Sequence, residues 1–397
     1  DYLYCFHYSD SMGYLIFCCH SVAMTFHFST ISIKICYLLH FFFPDKQGGT
    51  ERFVLNLAKQ QQTAGNEVCV ITLGKRFPSQ YSHQTGQILW EEFKVEGIPV
   101  IQMRYRHAPK GLYYDQIRPD DSEMFAFAEE LIRLEQPDIV HFAYPQPFAS
   151  FAAACEKNHI PYVVTLTDFN IFCHYATLVK KDGTFCDGSL AGEKCSSCKT
   201  YGVRDTKQRF NYAKAMLTQS RYITVPSKFV ANVMKQEFPE LDFHVVPHGI
   251  APVFTSIRKR KTTSRFIYVG TLSPLKGIHV LLKAFQQVSG NLLLEIYGGG
   301  AEGYVNSLKV MAKKDPRISF CGEVPATQMS GIYQKSDCVI VPSVWFETYN
   351  FVLREALACG CIGIASRIGA MPEAVSEGRN GFLFEAGDVS SLVHALK

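Results

Sequence analysis

The segment VPSVWFETYNFVLREALACG, residues 341–360, decides how this chain folds. Phe351, Leu353, Leu357 and the alanines between them repeat at helical spacing and Gly360 marks a helix end, while Pro342 and Ser343 close a preceding apolar run, DCVIV. Glu347 therefore precedes a helix and Glu355 lies within it. A helix that starts near Asn350 offers backbone N–H groups without intrahelical partners and the positive end of its dipole, a seat for a phosphate. Carboxylates accept hydrogen bonds from hydroxyls, so a glutamate on either side of that seat suits a sugar or a ribose. Taken alone, two glutamates at this spacing read as solvated surface residues, and the flanking sequence has to carry the reading.

Downstream, CIGIASRIGAMPEAVSEGRNGFLFEAGD (residues 361–388) reads as a buried strand, a glycine turn, a short helix from Met371 and a hairpin-like return. Upstream, SRFIYVGTLSPLKGIHVLLKAFQQV (264–288) reads as strand, loop and helix, with Ile278, Leu281, Leu282, Phe285 and Val288 on one buried face. Lys276 and Gly277 stand at the mouth of that helix, where an α/β sheet places an anion site; alone, Lys276 reads as a solvated helix-start lysine. NLLLEIYGGG (291–300) adds a strand ending in Gly298, Gly299 and Gly300, which lets the backbone approach a ligand, although a glycine triplet alone also serves tight turning.

Together these residues resemble the nucleotide-binding half of retaining glycosyltransferases of the GT-B fold, specifically glycosyltransferase family 4, over residues 33–397. The matching positions are Gly270, Leu272, Lys276, Gly277, Gly298, Gly300, Pro342, Ser343, Glu347, Glu355, Ala356, Gly369, Ala370, Pro372 and Glu373. The resemblance implies an α/β protein with two Rossmann-like, doubly wound domains facing across a cleft. It also implies that Lys276 holds the donor diphosphate, Glu355 the ribose hydroxyls and Glu347 the donor sugar, with backbone amides from Tyr349, Asn350, Phe351 and Val352 completing the cradle. Gly270, Thr271, Gly298 and Gly299 fall on donor-binding positions; where the family usually carries an arginine this chain has Thr271, which supplies no charge.

The N-terminal half begins with KICYLLHFFFPDKQGGTERFVLNLAKQQQTAGNEVCVITLG (34–74), a strand, a glycine loop, an amphipathic helix ending at Gly65 and a second strand. Two glycines here serve a turn equally well; beside the C-terminal motif they resemble the family's opening GG-x-E, in Gly48, Gly49 and Glu51, where backbone approaches the donor diphosphate. QPDIVHFAYPQPFASFAAACEKNHIPYVVTLTDFNIF (136–172) adds two strands around a helix. His141 ends the first, either bonded to a neighbouring carbonyl or facing the acceptor or donor sugar. The family's interdomain histidine is missing, because the second strand leads into Thr167 and Asp168. Ser227 reads as the N-cap of a later helix.

CHYATLVKKDGTFCDGSLAGEKCSSC (173–198) gathers Cys173, Cys186, Cys195 and Cys198 in a polar loop with a Cys-x-x-Cys. A tetrahedral thiolate zinc site would give such a loop order; disulfide or other redox chemistry, and free thiols, remain open. The insert resembles one found in a bacterial branch of the family, on the acceptor side of the cleft.

At 397 residues and 47% hydrophobic content the chain holds two cores, and a net charge of +4 is too mild to argue for nucleic acid. Arg258 to Lys261 form a basic knot, either a solvated linker or a contact with an anionic membrane surface. No run reaches the roughly 18 apolar residues of a spanning helix. The expected organisation is an extension outside the native fold at 1–32, an acceptor-side domain at 33–250, a linker at 251–264 and a nucleotide-sugar domain at 265–397, cut short at Lys397.

The expected function is retaining transfer of a sugar from a nucleoside diphosphate sugar to an acceptor hydroxyl, carbohydrate or lipid-linked, in surface polysaccharide or glycoconjugate synthesis. Lys276, Glu347 and His141 are the candidate catalytic residues, and no cofactor is expected for the chemistry. The expected location is cytoplasmic, at the inner face of the membrane. Thr271 and Thr167 motivate the alternative of a non-catalytic sugar-nucleotide-binding homologue. An epimerase of the same fold lacks matching acid and base residues.

Overall fold

The structure is a computed structural model, and it describes residues 32–74, 78–107, 121–198, 206–250 and 264–397, together with the backbone of 14–17 and 24–27. In the N-terminal stretch, where no strand pattern is legible, β1 (Tyr14–Phe17) and β2 (Met24–His27) pair antiparallel; the rest of 1–31 lies outside the described residues. So does nearly all of the expected linker, including the basic knot at 258–261.

β3 (Lys34–Leu39) is buried from its second residue onward, as a strand covered on both faces must be. Its side chains alternate between two cores: Cys36 and Leu38 face one, and Ile35, Tyr37 and Leu39 the other. α1 (Gly49–Thr63) lays Phe53, Val54, Leu55 and Ala58 on the second core, and β4 (Glu67–Leu73) returns parallel to β3. The hydrogen bond from the Gly48 N–H to Glu51 (2.7 Å) closes the start of α1. β5 (His83–Thr85), β6 (Ile88–Val95) and β7 (Ile98–Tyr105) follow. Then come α2 (Ser122–Glu135), β8 (Ile139–Phe142), α3 (Ala149–Lys157), β9 (Tyr162–Thr165), α4 (Thr206–Gln219), β10 (Tyr222–Val225), α5 (Lys228–Glu237) and β11 (His244–Val245). They form a nine-stranded sheet of order β11-β10-β9-β8-β3-β4-β7-β6-β5, parallel except for its β7-β6-β5 edge.

The second half runs β12 (Arg265–Val269), α6 (Ile278–Phe285), β13 (Leu293–Tyr297), α7 (Glu302–Ala312), β14 (Ile318–Gly322), α8 (Ala326–Lys335), β15 (Cys338–Val341), α9 (Phe351–Ala358), β16 (Ile362–Ser366), β17 (Gly381–Phe384) and α10 (Val389–Leu396). Its six strands lie in the order β14-β13-β12-β15-β16-β17, all parallel. That is the doubly wound order, whose direction reverses between β12 and β15 and opens a crevice at their carboxyl ends. Two expectations change: Met371–Glu373 is a single 3₁₀ turn, and β17 runs parallel to β16 instead of returning as a hairpin.

Two glycines hold the crevice closed at its floor. Gly277 adopts φ +69°, and a Cβ there would stand 1.8 Å from the Pro342 carbonyl oxygen, so the loops after β12 and β15 touch only because no side chain intervenes. Gly298, at φ +136°, lies against Gly270, whose carbonyl oxygen would be 1.9 Å from a Cβ.

Candidate functional site

The loops at the switch point bring the expected donor residues together. Lys276 Nζ donates to Glu347 Oε1 at 2.7 Å, and the same oxygen accepts from Ser343 Oγ at 2.7 Å and Trp345 Nε1 at 3.1 Å. The Lys276 ammonium also stands 5.0 Å from the centre of the Trp345 ring. Burial alone would raise the Glu347 pKa, but the Lys276 charge and the three hydrogen bonds outweigh it and hold the carboxyl below its ordinary value. The Lys276 side chain keeps 26% of its surface exposed against 7% for Glu347, so the cation retains a face toward solvent. Sequence alone does not mark Ser343 and Trp345 as partners of the glutamate; the signal it offers is that both precede Glu347 in the same loop.

α9 begins one residue after Asn350, which sits at φ +63° and accepts the Leu353 N–H at 2.9 Å on its side chain. The Leu353 N–H is thus capped by the protein itself, and the expected cradle of Tyr349, Asn350, Phe351 and Val352 lies immediately before it. Glu355 lies one turn into the helix and accepts the Tyr333 hydroxyl at 3.1 Å. Burial raises its pKa, with Tyr333 and the charge of Arg52 acting against it. Thr271 is exposed, and its carbonyl accepts the Tyr268 hydroxyl at 2.9 Å, which shapes the loop without adding a cation. Gly299 lies beside the Glu323 carboxylate, which a Cβ would meet at 2.3 Å.

The N-terminal half meets this array from across the cleft. A Cβ on Gly49 would lie 3.7 Å from the Phe351 ring, so the Gly48–Gly49 loop faces the start of α9. Thr167, where the family's histidine is missing, bonds Thr50 side chain to side chain at 2.8 Å, and its carbonyl accepts from Thr348 Oγ1 at 2.8 Å. The threonine joins the glycine loop to the residue beside Glu347. His248 stacks between Phe53 (4.0 Å between ring centres) and Phe351 (5.6 Å), and its carbonyl accepts the Tyr349 hydroxyl. Glu373 accepts from the backbone N–H groups of Lys228 (2.9 Å) and Phe229 (2.7 Å) at the start of α5, whose Ser227 cap is as expected.

His141 bonds a side-chain hydroxyl in place of the expected carbonyl. Its Nε2 pairs with Thr165 Oγ1 at 2.6 Å, and its ring contacts Tyr37 and Phe53, all within the N-terminal half. Burial lowers its pKa to about 4, so the ring is neutral near pH 7. Asp168 moves the other way, pushed up to about 6 by burial despite an Asn170 N–H bond and the Lys46 charge.

The four insert cysteines carry no disulfide and line a single cavity of about 330 Å³. No three of their sulfurs lie within 4.8 Å of one another; among the described residues, the one set of three His, Cys, Asp or Glu ligand atoms that close is Cys36, Cys69 and Glu135, in the N-terminal core. Cys36 and Cys69 face each other in register on β3 and β4.

Residues 47–253 match the family described as "Glycosyltransferase Family 4", and residues 263–397 match "Glycosyl transferases group 1". The chain belongs to glycosyltransferase family 4, and its fold is GT-B. The D-inositol 3-phosphate glycosyltransferase of Corynebacterium glutamicum (strain R) is 34% identical over 139 residues, 32% of this chain and 33% of that protein. The lipopolysaccharide 1,2-N-acetylglucosaminetransferase of Salmonella typhimurium is 29% identical over 182 residues, 40% of this chain and 48% of that protein. The chain spans about a third of the length of the first of these and about half of the second. Anabaena Alr3699/HepE in complex with UDP superposes with a TM-score of 0.64 at 17% identity, over 91% of this chain and 88% of that one.

Proposed function

We propose that this protein transfers a glycosyl group from a nucleoside diphosphate sugar to an acceptor hydroxyl with retention of configuration. The observation that carries the reading is the meeting, at the carboxyl ends of β12 and β15, of the Lys276–Glu347 pair, the start of α9 and the Gly48–Gly49 loop. An anion entering there finds a cation and backbone N–H groups already aimed at it. Lys276 passes from Glu347 Oε1 to the diphosphate, and Glu347 then accepts from sugar hydroxyls. As the bond from the sugar's anomeric carbon to the diphosphate breaks, Lys276 and the α9 amides stabilise the negative charge that builds on the leaving oxygen. The acceptor oxygen bonds to the same face of that carbon, and its proton goes to the departing phosphate. Glu355 takes the ribose hydroxyls and His141 lines the acceptor side.

HepE supports a uridine diphosphate donor by its bound UDP, and the two curated relatives support a carbohydrate or inositol phosphate acceptor in surface glycan or glycolipid assembly. The proposed setting is the cytoplasmic face of a membrane; among the described residues no helix is long and apolar enough to cross one. The test is nucleotide release from UDP- and GDP-sugars with candidate acceptors. Release that requires an acceptor and is lost in Lys276→Ala supports transfer. Saturable thermal stabilisation by a sugar nucleotide, with no release under any condition, would instead establish a binding-only homologue.

A further inference from the structure

The insert between β9 and α4 has a cavity of about 330 Å³ whose lining includes Cys173, Cys186, Cys195, Cys198 and His174. His174 is 9% exposed, and neither of its ring nitrogens has a hydrogen-bond partner. A buried imidazole left without partners on both sides is costly, so its place on this wall asks for an occupant. Among its described residues the insert holds little regular structure, an isolated bridge between Val179 and Phe185 and a 3₁₀ turn at Lys194–Cys198. Its backbone nonetheless carries non-glycine residues at positive φ, namely Ala176, Leu178, Leu190 and Ala191, a conformation that persists only where its surroundings enforce it.

We propose that this cavity is a thiolate metal centre, a zinc ion or an iron–sulfur cluster held by Cys173, Cys186, Cys195 and Cys198, with His174 available as a further donor. Tetrahedral S₄ chemistry is shared by the two occupants. A zinc ion displaces four thiol protons and draws the sulfurs to about 3.8 Å from one another, given a Zn–S bond of about 2.3 Å. Because no three of the sulfurs lie within 4.8 Å of one another, zinc uptake contracts the insert, whereas a cluster is wide enough to bridge sulfurs held further apart. The contraction matters to the donor site. Phe185 rests on Phe346 at 4.6 Å between ring centres, and Phe346 precedes Glu347 in the chain and also meets Phe229 at 5.4 Å. Metal in the insert therefore fixes a hydrophobic prop beneath the loop that carries the catalytic glutamate.

The experiment is metal analysis of the full chain, untagged and purified anaerobically without chelator. About one zinc per chain, or iron with matching acid-labile sulfide, is expected, and each identifies its own occupant. Cys195→Ser/Cys198→Ser should lose the metal. Should that variant not fold, the wild-type chain itself is stripped with a chelator and titrated with cobalt(II), whose thiolate charge-transfer band should appear and saturate. Limited proteolysis supplies the second arm: stripping should speed cleavage after Lys180, Lys181 and Lys194, and refilling should slow it. Wild-type protein that carries no metal and develops no cobalt–thiolate band overturns the proposal. These readouts need no substrate, so they stand apart from the outcome of the transfer assay.

Discussion

Glu347 Oε1 collects three donors, and its replacement tests what that convergence does. Glu347→Gln keeps the shape and one acceptor oxygen but removes the charge that balances Lys276. Turnover should fall on the order of 10²- to 10³-fold, as when one preorganised electrostatic group is lost from a site. Stability should fall by about 1.5–3 kcal/mol, the range for a hydrogen bond to a charged group. The sign with pH follows from the lowered carboxyl: the advantage of Glu over Gln is complete above the ordinary value of 4.5 and disappears as pH falls through the lower folded value. Urea unfolding of both proteins, at neutral pH and near about pH 3, reads this directly; an equal gap at the two pH values contradicts it. Glu355→Ala is the complementary change, expected to weaken donor binding about tenfold, the value of one charge-assisted hydrogen bond, while the fold persists. Unchanged calorimetric affinity would remove Glu355 from the ribose site.

At the scale of elements, the start of α5 is held by a carboxylate from the other domain. Glu373→Ala frees the N–H groups of Lys228 and Phe229, which Ser227 cannot also serve because its hydroxyl accepts from Val230. The loss in stability should be small, about 0.5–1 kcal/mol, since water can reach these donors. The orientation of the two domains should loosen more visibly, as a larger radius of gyration in solution scattering and a raised KM for the donor; identical scattering curves would show that Glu373 is no clasp. The elements that set this geometry were largely legible in the sequence. VPSVWFETYNFVLREALACG placed α9 and both glutamates, and Lys276–Gly277 placed the facing loop, because apolar periodicity and glycine spacing are local signals. The antiparallel β7-β6-β5 edge and the parallel placement of β17 were not read, since strand pairing is a relation between distant segments that neither partner states alone. The same limit hid Thr167: a missing histidine is visible in sequence, while the bonds to Thr50 and Thr348 exist only once two loops from different domains meet.

For the whole molecule, stability between neutral and acid pH depends on groups buried in their uncharged forms. Burial lowers His141 to about 4 and His248 to about 3, the latter also pressed by the charge of Arg354. Between the ordinary value of 6.5 and those folded values the unfolded chain binds protons that the native one refuses, so stability is complete above 6.5 and is lost as pH falls below it. Asp168 opposes this over part of the range: held at about 6 against an ordinary 3.8, it favours the fold in acid and loses that contribution as pH rises between the two. Two histidines outweigh one aspartate, so the thermal midpoint should drop steadily on acidification below 6.5, and His248→Gln should flatten the drop. A midpoint that stays level across this interval would show that the rings reach water. Finally, the chain has two tryptophans, and Trp345 is the one beneath the Lys276 ammonium. Trp90 lies in β6, far along the sheet edge, with its indole bonded to Thr85 at 3.2 Å. Replacing Trp90 by phenylalanine would leave a single indole, at the phosphate seat, so under excitation that spares tyrosine the departure of one amine from one ring becomes a fluorescence signal, and donor preference can be ranked before any acceptor is known.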